Sequence, residues 1–232
     1  MKKSKPDATQ ARTDAAFSYT IFNIETIGDP KLQKELKPNE DSIEAPSTWK
    51  DPEKIAAYKS EKLAGLGSAL SLEPLTCRII CFSHKHPNQG VQTLIGDEKA
   101  IVDRFCTVFT GISNTCPAVG FNSSQFDLPV MFIAALRHLV KFPIDWRSMT
   151  KYGATSLYVD VRSVLTGFDS KKRGKLWEWS TRLGGPEIFG SGSQVAEWWK
   201  AKDGASIMRH CESNVLATEF LYRRLVDAGT QG

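Results

Sequence analysis

The stretch Ile21-Phe22-Asn23-Ile24-Glu25-Thr26 alternates apolar and polar residues with a period of two, which fixes it as a strand rather than a helix. Phe22, Ile24 and Thr26 fall on one face, Asn23 and Glu25 on the other, so two polar side chains point together. A half-buried surface strand gives the same pattern, so the pair gains meaning only from the residues it meets later in the chain. Whatever forms on this strand must build a core on one side and accommodate a carboxylate and an amide on the other.

The rest of the chain alternates strand and helix signals. Residues 1–17 are polar and aperiodic and read as a flexible tail. The first strand, 18–25, stops at Gly28-Asp29-Pro30. A polar, proline-punctuated segment at about 31–74 reads as an insertion, with a helix over 51–66 that starts at Asp51-Pro52-Glu53 and bears Ile55, Tyr58, Leu63 and Leu66. Its length fits a lid over the core or a plain surface helix.

Two β-rich runs, 77–83 and 91–95, flank His86-Pro87-Asn88-Gln89-Gly90 and predict a hairpin. A helix opening at Gly96-Asp97-Glu98 carries Ile101, Phe105, Val108 and Phe109. A strand over 117–121 leads through Asn122-Ser123-Ser124 to a helix over 127–140, with Asp127 expected to cap it. A strand follows at 157–161, then helices at 175–183, 194–200 and 205–226, the last placing His210 and Asn214 four apart on one face. This order predicts an α/β protein with a mixed central sheet flanked by helices, a single domain over 18–228.

The 232 residues, 41% of them apolar, suffice for one full core. No apolar run approaches the ~18 residues of a membrane span, and the start of the chain lacks a signal-peptide pattern, so a cytoplasmic protein with no membrane partner is expected. Five cysteines without framework spacing suit a reducing compartment. Cys77, Cys81, His84 and His86 imitate a zinc set, yet a strand sends the histidines to the face opposite the cysteines, which predicts structural thiols and solvent-facing imidazoles. The net charge of +4 permits a polyanionic partner without requiring one. The local run Lys171-Lys172-Arg173-Gly174-Lys175 reads as a solvated loop or as a phosphate-contacting one, with Lys175 as a candidate contact.

Glu25, Asp127 and the 210–214 pair come from separate elements, and converging oxygen ligands of this kind are what hard divalent cations require. Phe22-Asn23-Ile24-Glu25-Thr26, Gly120-Phe121-Asn122-Ser123-Ser124-Gln125-Phe126-Asp127-Leu128-Pro129 and His210-Cys211-Glu212-Ser213-Asn214-Val215-Leu216-Ala217-Thr218 resemble the three motifs of the DEDD exonuclease superfamily. The chain looks most like bacterial and phage 3'-5' exonucleases related to the proofreading domain of family B DNA polymerases.

That resemblance implies a ribonuclease H-like fold, a bacterial or phage origin, and hydrolysis at the 3' end of nucleic acid, single-stranded DNA foremost. It further implies two Mg²⁺ or Mn²⁺ ions, ~3.5–4 Å apart, held by four carboxylates. Glu25 and Asp127 match two of them. Asn23 and Asn214 stand where the pattern has aspartates, so the metal set here would be Asn23, Glu25, Asp127 and Asn214. At about 4 kcal/mol per charge pair at 4 Å and an effective dielectric near 20, losing two anions weakens both ions. The implied enzyme is therefore attenuated or silent, and a non-catalytic DNA-end-binding module is the alternative.

His210 takes the place of the tyrosine used in the subclass with this spacing, either as the base for the attacking water or as a simple hydrogen-bonding group. Thr26 and Asn122 are implied contacts of the terminal nucleotide. Phe121 would pack against that nucleotide or in the core, and Asp160 would support the site or cap a turn. Trp198 and Trp199 would stack on bases or, more in keeping with an amphipathic helix, pack inward.

Overall fold

The computed structural model of the protein describes residues 18–29, 31, 43–70, 72–113, 115–143, 157–169, 171 and 174–229, the side chains of 63–70 excepted. The expected tail at 1–17, Trp146, Lys172 and Arg173 lie outside the described residues.

Five strands, β1 (Thr20–Gly28), β2 (Cys77–Lys85), β3 (Gln92–Ile95), β4 (Ala118–Gly120) and β5 (Tyr158–Asp160), form one sheet in the order β3-β2-β1-β4-β5. The β1-β2 and β2-β3 pairs are antiparallel and the β1-β4 and β4-β5 pairs parallel, so the sheet is mixed. Between them run α1 (Pro52–Leu70), α2 (Glu98–Phe109) and α3 (Asp127–Arg137). After β5 come α4 (Val161–Leu165), α5 (Leu176–Arg182), α6 (Val195–Lys200) and α7 (Gly204–Gly229). Every expected strand and helix among the described residues is present.

Central β1 is covered on both faces. Phe22 and Ile24 join Phe105 and Phe109 of α2 and Met131 and Ala134 of α3 in the largest apolar cluster. Asp97 caps α2, its side chain accepting from Ala100 N at 2.9 Å, as a residue placed just ahead of an apolar periodicity should. On the other face α7 lays Ile207, Cys211, Val215 and Leu221 against the sheet. Asn23 and Glu25 therefore face a helix rather than water.

A bulge shapes this second face. Glu25 pairs with Cys81 and Thr26 with Ile79, leaving Ile80 as an extra residue in β2. Ile80 and Cys81 consequently both join the cluster of Ile27, Val195, Ile207 and Cys211, while Cys77 and Ile79 belong to the α2/α3 side. The strict alternation expected for β2 thus fails: Cys77 and Cys81 lie on opposite faces. His84 is also not a solvent histidine. It is 2% exposed and stacks on Phe82 with ring centroids 5.3 Å apart, on the same side as Cys77, because β2 runs on to Lys85 beneath α2. His86 is half-buried, its Nδ1 3.0 Å from Thr20 Oγ1. All five cysteines are free thiols.

Several boundaries differ from expectation: β1 begins at Thr20 and runs on to Gly28, α1 to Leu70, β2 to Lys85 and α7 to Gly229. Helix α3 ends at Arg137. Val161 begins α4 instead of ending β5, because Asp160 accepts from Arg162 N and Ser163 N and starts a helix there. Asp127 does not cap α3: it is the first helical residue, and Phe126, which makes no side-chain cap bond, holds the cap position.

Candidate active site

Beyond Ile21, β1 has no partner strand on its β4 side among the described residues, because β4 pairs only with Thr20 and Ile21. The Ile24 N–H on that open edge finds Asp127 Oδ1 at 3.2 Å, which fixes the start of α3 against the strand. Glu25, one residue on, points toward α7. There Asn214 donates through Nδ2 to Glu25 Oε1 at 3.1 Å, and Asn23 donates through its own Nδ2 to the same oxygen at 2.9 Å. The structure thus brings Asn23, Glu25, Asp127, His210 and Asn214 together.

Burial dominates the electrostatics. Glu25 and Asp127 are both buried, and desolvation pushes each carboxyl up to about 7, for Glu25 against the two asparagine amides and for Asp127 against the Ile24 N–H. The Glu25 charge also raises Asp127, so the two carboxyls lie within electrostatic reach of one another.

His210 is held from behind. Its Nδ1 lies 2.5 Å from the Phe189 carbonyl, which can only accept, so Nδ1 carries the proton. The Nε2 lone pair then faces the site, 3.4 Å from Asn214 Nδ2 and 3.7 Å from Glu25 Oε1. Burial lowers the pKa of the ring, keeping it neutral and able to accept a proton. Phe189 itself is placed by stacking on Trp198 and by Ser213 Oγ, which accepts from its N–H at 3.1 Å.

Asp160 grips the loop that delivers Asp127. Its Oδ1 accepts from Asn122 N at 2.9 Å, and its Oδ2 accepts from Ser124 N at 3.1 Å and Ser124 Oγ at 2.5 Å. Asn122 adopts φ 61°, a left-handed backbone that asparagine tolerates, and its Oδ1 accepts from Arg162 at 2.6 Å. Phe121 packs half-buried with Val119 and Val161. Thr26 lies one residue past Glu25 on β1, half-buried. Lys175 stands apart, exposed at the N-cap of α5. Trp198 packs on Phe189, as amphipathic spacing suggested, and Arg78 lies over Trp199 at 5.9 Å.

Sequence reasoning missed Phe189, Arg162 and Cys211, whose Sγ accepts from Asn23 Nδ2 at 3.3 Å. Cys211 was legible as the residue after His210 on an inward helix face. Phe189 acts through its backbone and leaves no signal in a sequence.

The donor set does not fit two divalent ions. Glu25 and Asp127 supply two anionic groups against four positive charges, and among the described residues no three His, Cys, Asp or Glu side chains gather as a metal site. The amides present N–H to Glu25, and turning either one to offer its oxygen would strip that buried carboxylate of a donor.

A mixed five-stranded sheet with this helix order and a carboxylate pair between the central strand and two helices defines a ribonuclease H-like domain of the DEDD exonuclease type. Residues 76–230 match the family described as predicted 3'-5' exonucleases related to the exonuclease domain of PolB, and the chain belongs to that family. The matched region begins after β1, so it contains Asp127 and Asn214 but not Asn23 or Glu25. The family B DNA polymerase of the hyperthermophilic archaeon Pyrobaculum calidifontis superposes with a TM-score of 0.61 at 17% identity, over 90% of this chain and 24% of that one. The chain thus spans about a quarter of that polymerase. Escherichia coli exonuclease I in complex with a 5cy-dT13 oligonucleotide gives a TM-score of 0.42 at 10% identity, over 82% of this chain and 42% of that one. A search of curated proteins finds no match.

Proposed function

We propose that the chain is a 3'-5' exonuclease that engages the 3' end of single-stranded DNA, with hydrolysis held low by Asn23 and Asn214. The observation carrying this reading is that both amides donate to one oxygen of Glu25, so they occupy ligand positions and satisfy the carboxylate that a metal would need. With aspartates at 23 and 214 beside Glu25 and Asp127, these four residues would hold divalent Mg²⁺ or Mn²⁺, which would activate water and neutralise developing charge. This chain's residues supply the scaffold: Glu25 and Asp127 as remaining ligands, and His210 with Nε2 directed inward to take a proton. Asp160 fixes the loop of Asn122, and Thr26, Asn122 and Phe121 border the terminal nucleotide. Residues 18–228 act as one domain in this reading.

The test is restoration. Asn23→Asp with Asn214→Asp, given a 5'-labelled single-stranded oligonucleotide and Mg²⁺ or Mn²⁺, should shorten it stepwise from the 3' end, at least about a hundredfold faster than the unaltered chain, as expected for regaining two charges worth several kcal/mol. A restored protein that binds the oligonucleotide yet leaves it intact would reject the exonuclease and favour a non-catalytic DNA-end-binding module of the same fold.

A further inference from the structure

Two aromatic rings stand in solvent on the segment that begins at Asp160. Helix α4 closes with Gly167 and Phe168 both in left-handed backbone, φ 63° and 60°, as Phe168 N donates to Ser163 O at 2.7 Å. Glycine adopts that conformation freely, whereas a bulky side chain is disfavoured in it. Burial does not compensate, for Phe168 is 69% exposed. On α5, Trp177 is 52% exposed, while Trp179 turns inward among Val161, Leu165 and Leu176.

The basic run separates the two rings in sequence, and its last residues, Gly174 and Lys175, lead into α5. Gly174, at φ 151°, crosses the Trp179 indole so closely that a Cβ there would stand 2.3 Å from Nε1. Glu178 accepts from Lys175 N at 2.6 Å, which commits that carboxylate to the backbone. Lys171 and Lys175 are exposed. Residues 164–183 hold five cations against two anions, a local excess close to that of the entire chain.

We propose that Phe168, Lys171, Lys175 and Trp177 form a docking surface for single-stranded DNA, the rings stacking on bases and the ammonium groups meeting phosphates. The inference rests on the exonuclease reading above and deepens it by naming where the strand is held. Rings beside cations bind bases without regard to sequence, and base faces are open only in a single strand, so the surface selects against duplex. It is tied to the candidate site through Asp160, which caps α4 and grips the Asn122–Ser124 loop ahead of Asp127.

Binding of fluorescein-labelled dT15 to the unaltered chain, followed by anisotropy without added metal, tests this directly. Phe168→Ala and Trp177→Ala should each weaken binding about tenfold, within the range for loss of one base stack, and Trp177→Phe should restore most of it. Lys171→Ala with Lys175→Ala should flatten the salt dependence by roughly 0.7 per lost phosphate contact. Leu136→Ala, exposed on α3, is the control expected to change nothing. Wild-type affinity in both aromatic variants, equal affinity for a 15-base-pair duplex, or tighter binding of rU15 than dT15 overturns the proposal. If the aromatic variants bind normally while the aspartate-restored chain still cuts, the surface fails and the exonuclease stands. If no dT15 binds, both fall.

Discussion

Asn214 Nδ2 and Glu25 Oε1, 189 positions apart in sequence, meet at 3.1 Å and join the last helix to the central strand. An aspartate at 214 would place a second anion against a buried carboxylate, and one at 23 would add a third. Without metal the Asn23→Asp/Asn214→Asp protein should therefore melt below the unaltered chain, by about 4–8 °C for a loss of roughly 2 kcal/mol in a domain of this size. Millimolar Mn²⁺ should recover that loss and more, as a ligand bound only by the folded state must. The unaltered chain should respond little. Thermal shift with and without Mn²⁺ decides the matter; equal shifts in both proteins would show that the amides do not exclude the ion.

Buried titratable groups give the stability curve two opposed slopes. Glu25 and Asp127, raised to about 7, hold protons in the folded state that the unfolded chain releases above its ordinary carboxyl range, so their contribution falls as pH rises from about 4.5 to 7. His84, which burial first and Arg104 second lower to about 4, does the reverse. The unfolded chain protonates that imidazole near 6.5 and the folded one does not, so its contribution is lost as pH falls from about 6.5 to 4. Glu25→Gln with Asp127→Asn should leave a curve that rises across this window, and His84→Phe a curve that falls. Each group is worth on the order of 3 kcal/mol at full effect. Urea midpoints at pH 4.5, 5.5, 6.5 and 7.5 measure it; parallel curves for the two variants would refute the assignment.

The fold was largely readable from residue periodicity, since β1, the hairpin, α2 and α7 each carry a clean apolar face. Two things were not. The Ile80 bulge changes which residues of β2 share a face, and nothing in Ile79-Ile80-Cys81 announces an extra residue, because all three are apolar. The burial of His84 depends on α2 crossing above it, a tertiary event that a local pattern does not encode. At the site, acidic and amide side chains were legible through their motifs, whereas the backbone carbonyl of Phe189 that sets the His210 tautomer was invisible.

Glu98 ties three elements with one carboxylate. It accepts from Ile79 N at 2.9 Å on β2 and from His138 Nε2 at 2.8 Å, and pairs with Arg137 at 3.1 Å near the end of α3. Glu98→Ala would leave a buried strand N–H without its acceptor and a half-buried guanidinium without its anion, a loss of about 2–4 kcal/mol. Glu98→Gln keeps the strand bond and should cost less than half as much. Chemical denaturation of both variants distinguishes them; equal losses would mean that charge, not the Ile79 bond, is what the structure uses.

Asp160 lies beside the proposed chemistry without being a ligand in the motif pattern. Its carboxylate takes N–H groups from Asn122 and Ser124 and from the first turn of α4, so one side chain sets both the approach to Asp127 and the start of the helix leading to Phe168. Removing it frees several buried or half-buried donors at once, which should cost about 2–3 kcal/mol. If Asp160 positions rather than reacts, Asp160→Asn in the aspartate-restored chain should retain a fraction of the rate, because an amide oxygen still accepts from the loop. Asp160→Ala should lose at least about tenfold in kcat, in line with misplacement of a catalytic carboxylate by a fraction of an ångström to an ångström. The metal-induced rise in melting temperature separates the roles. A positioning residue should leave most of that rise intact in Asp160→Asn, and complete loss of it there would identify Asp160 as a ligand.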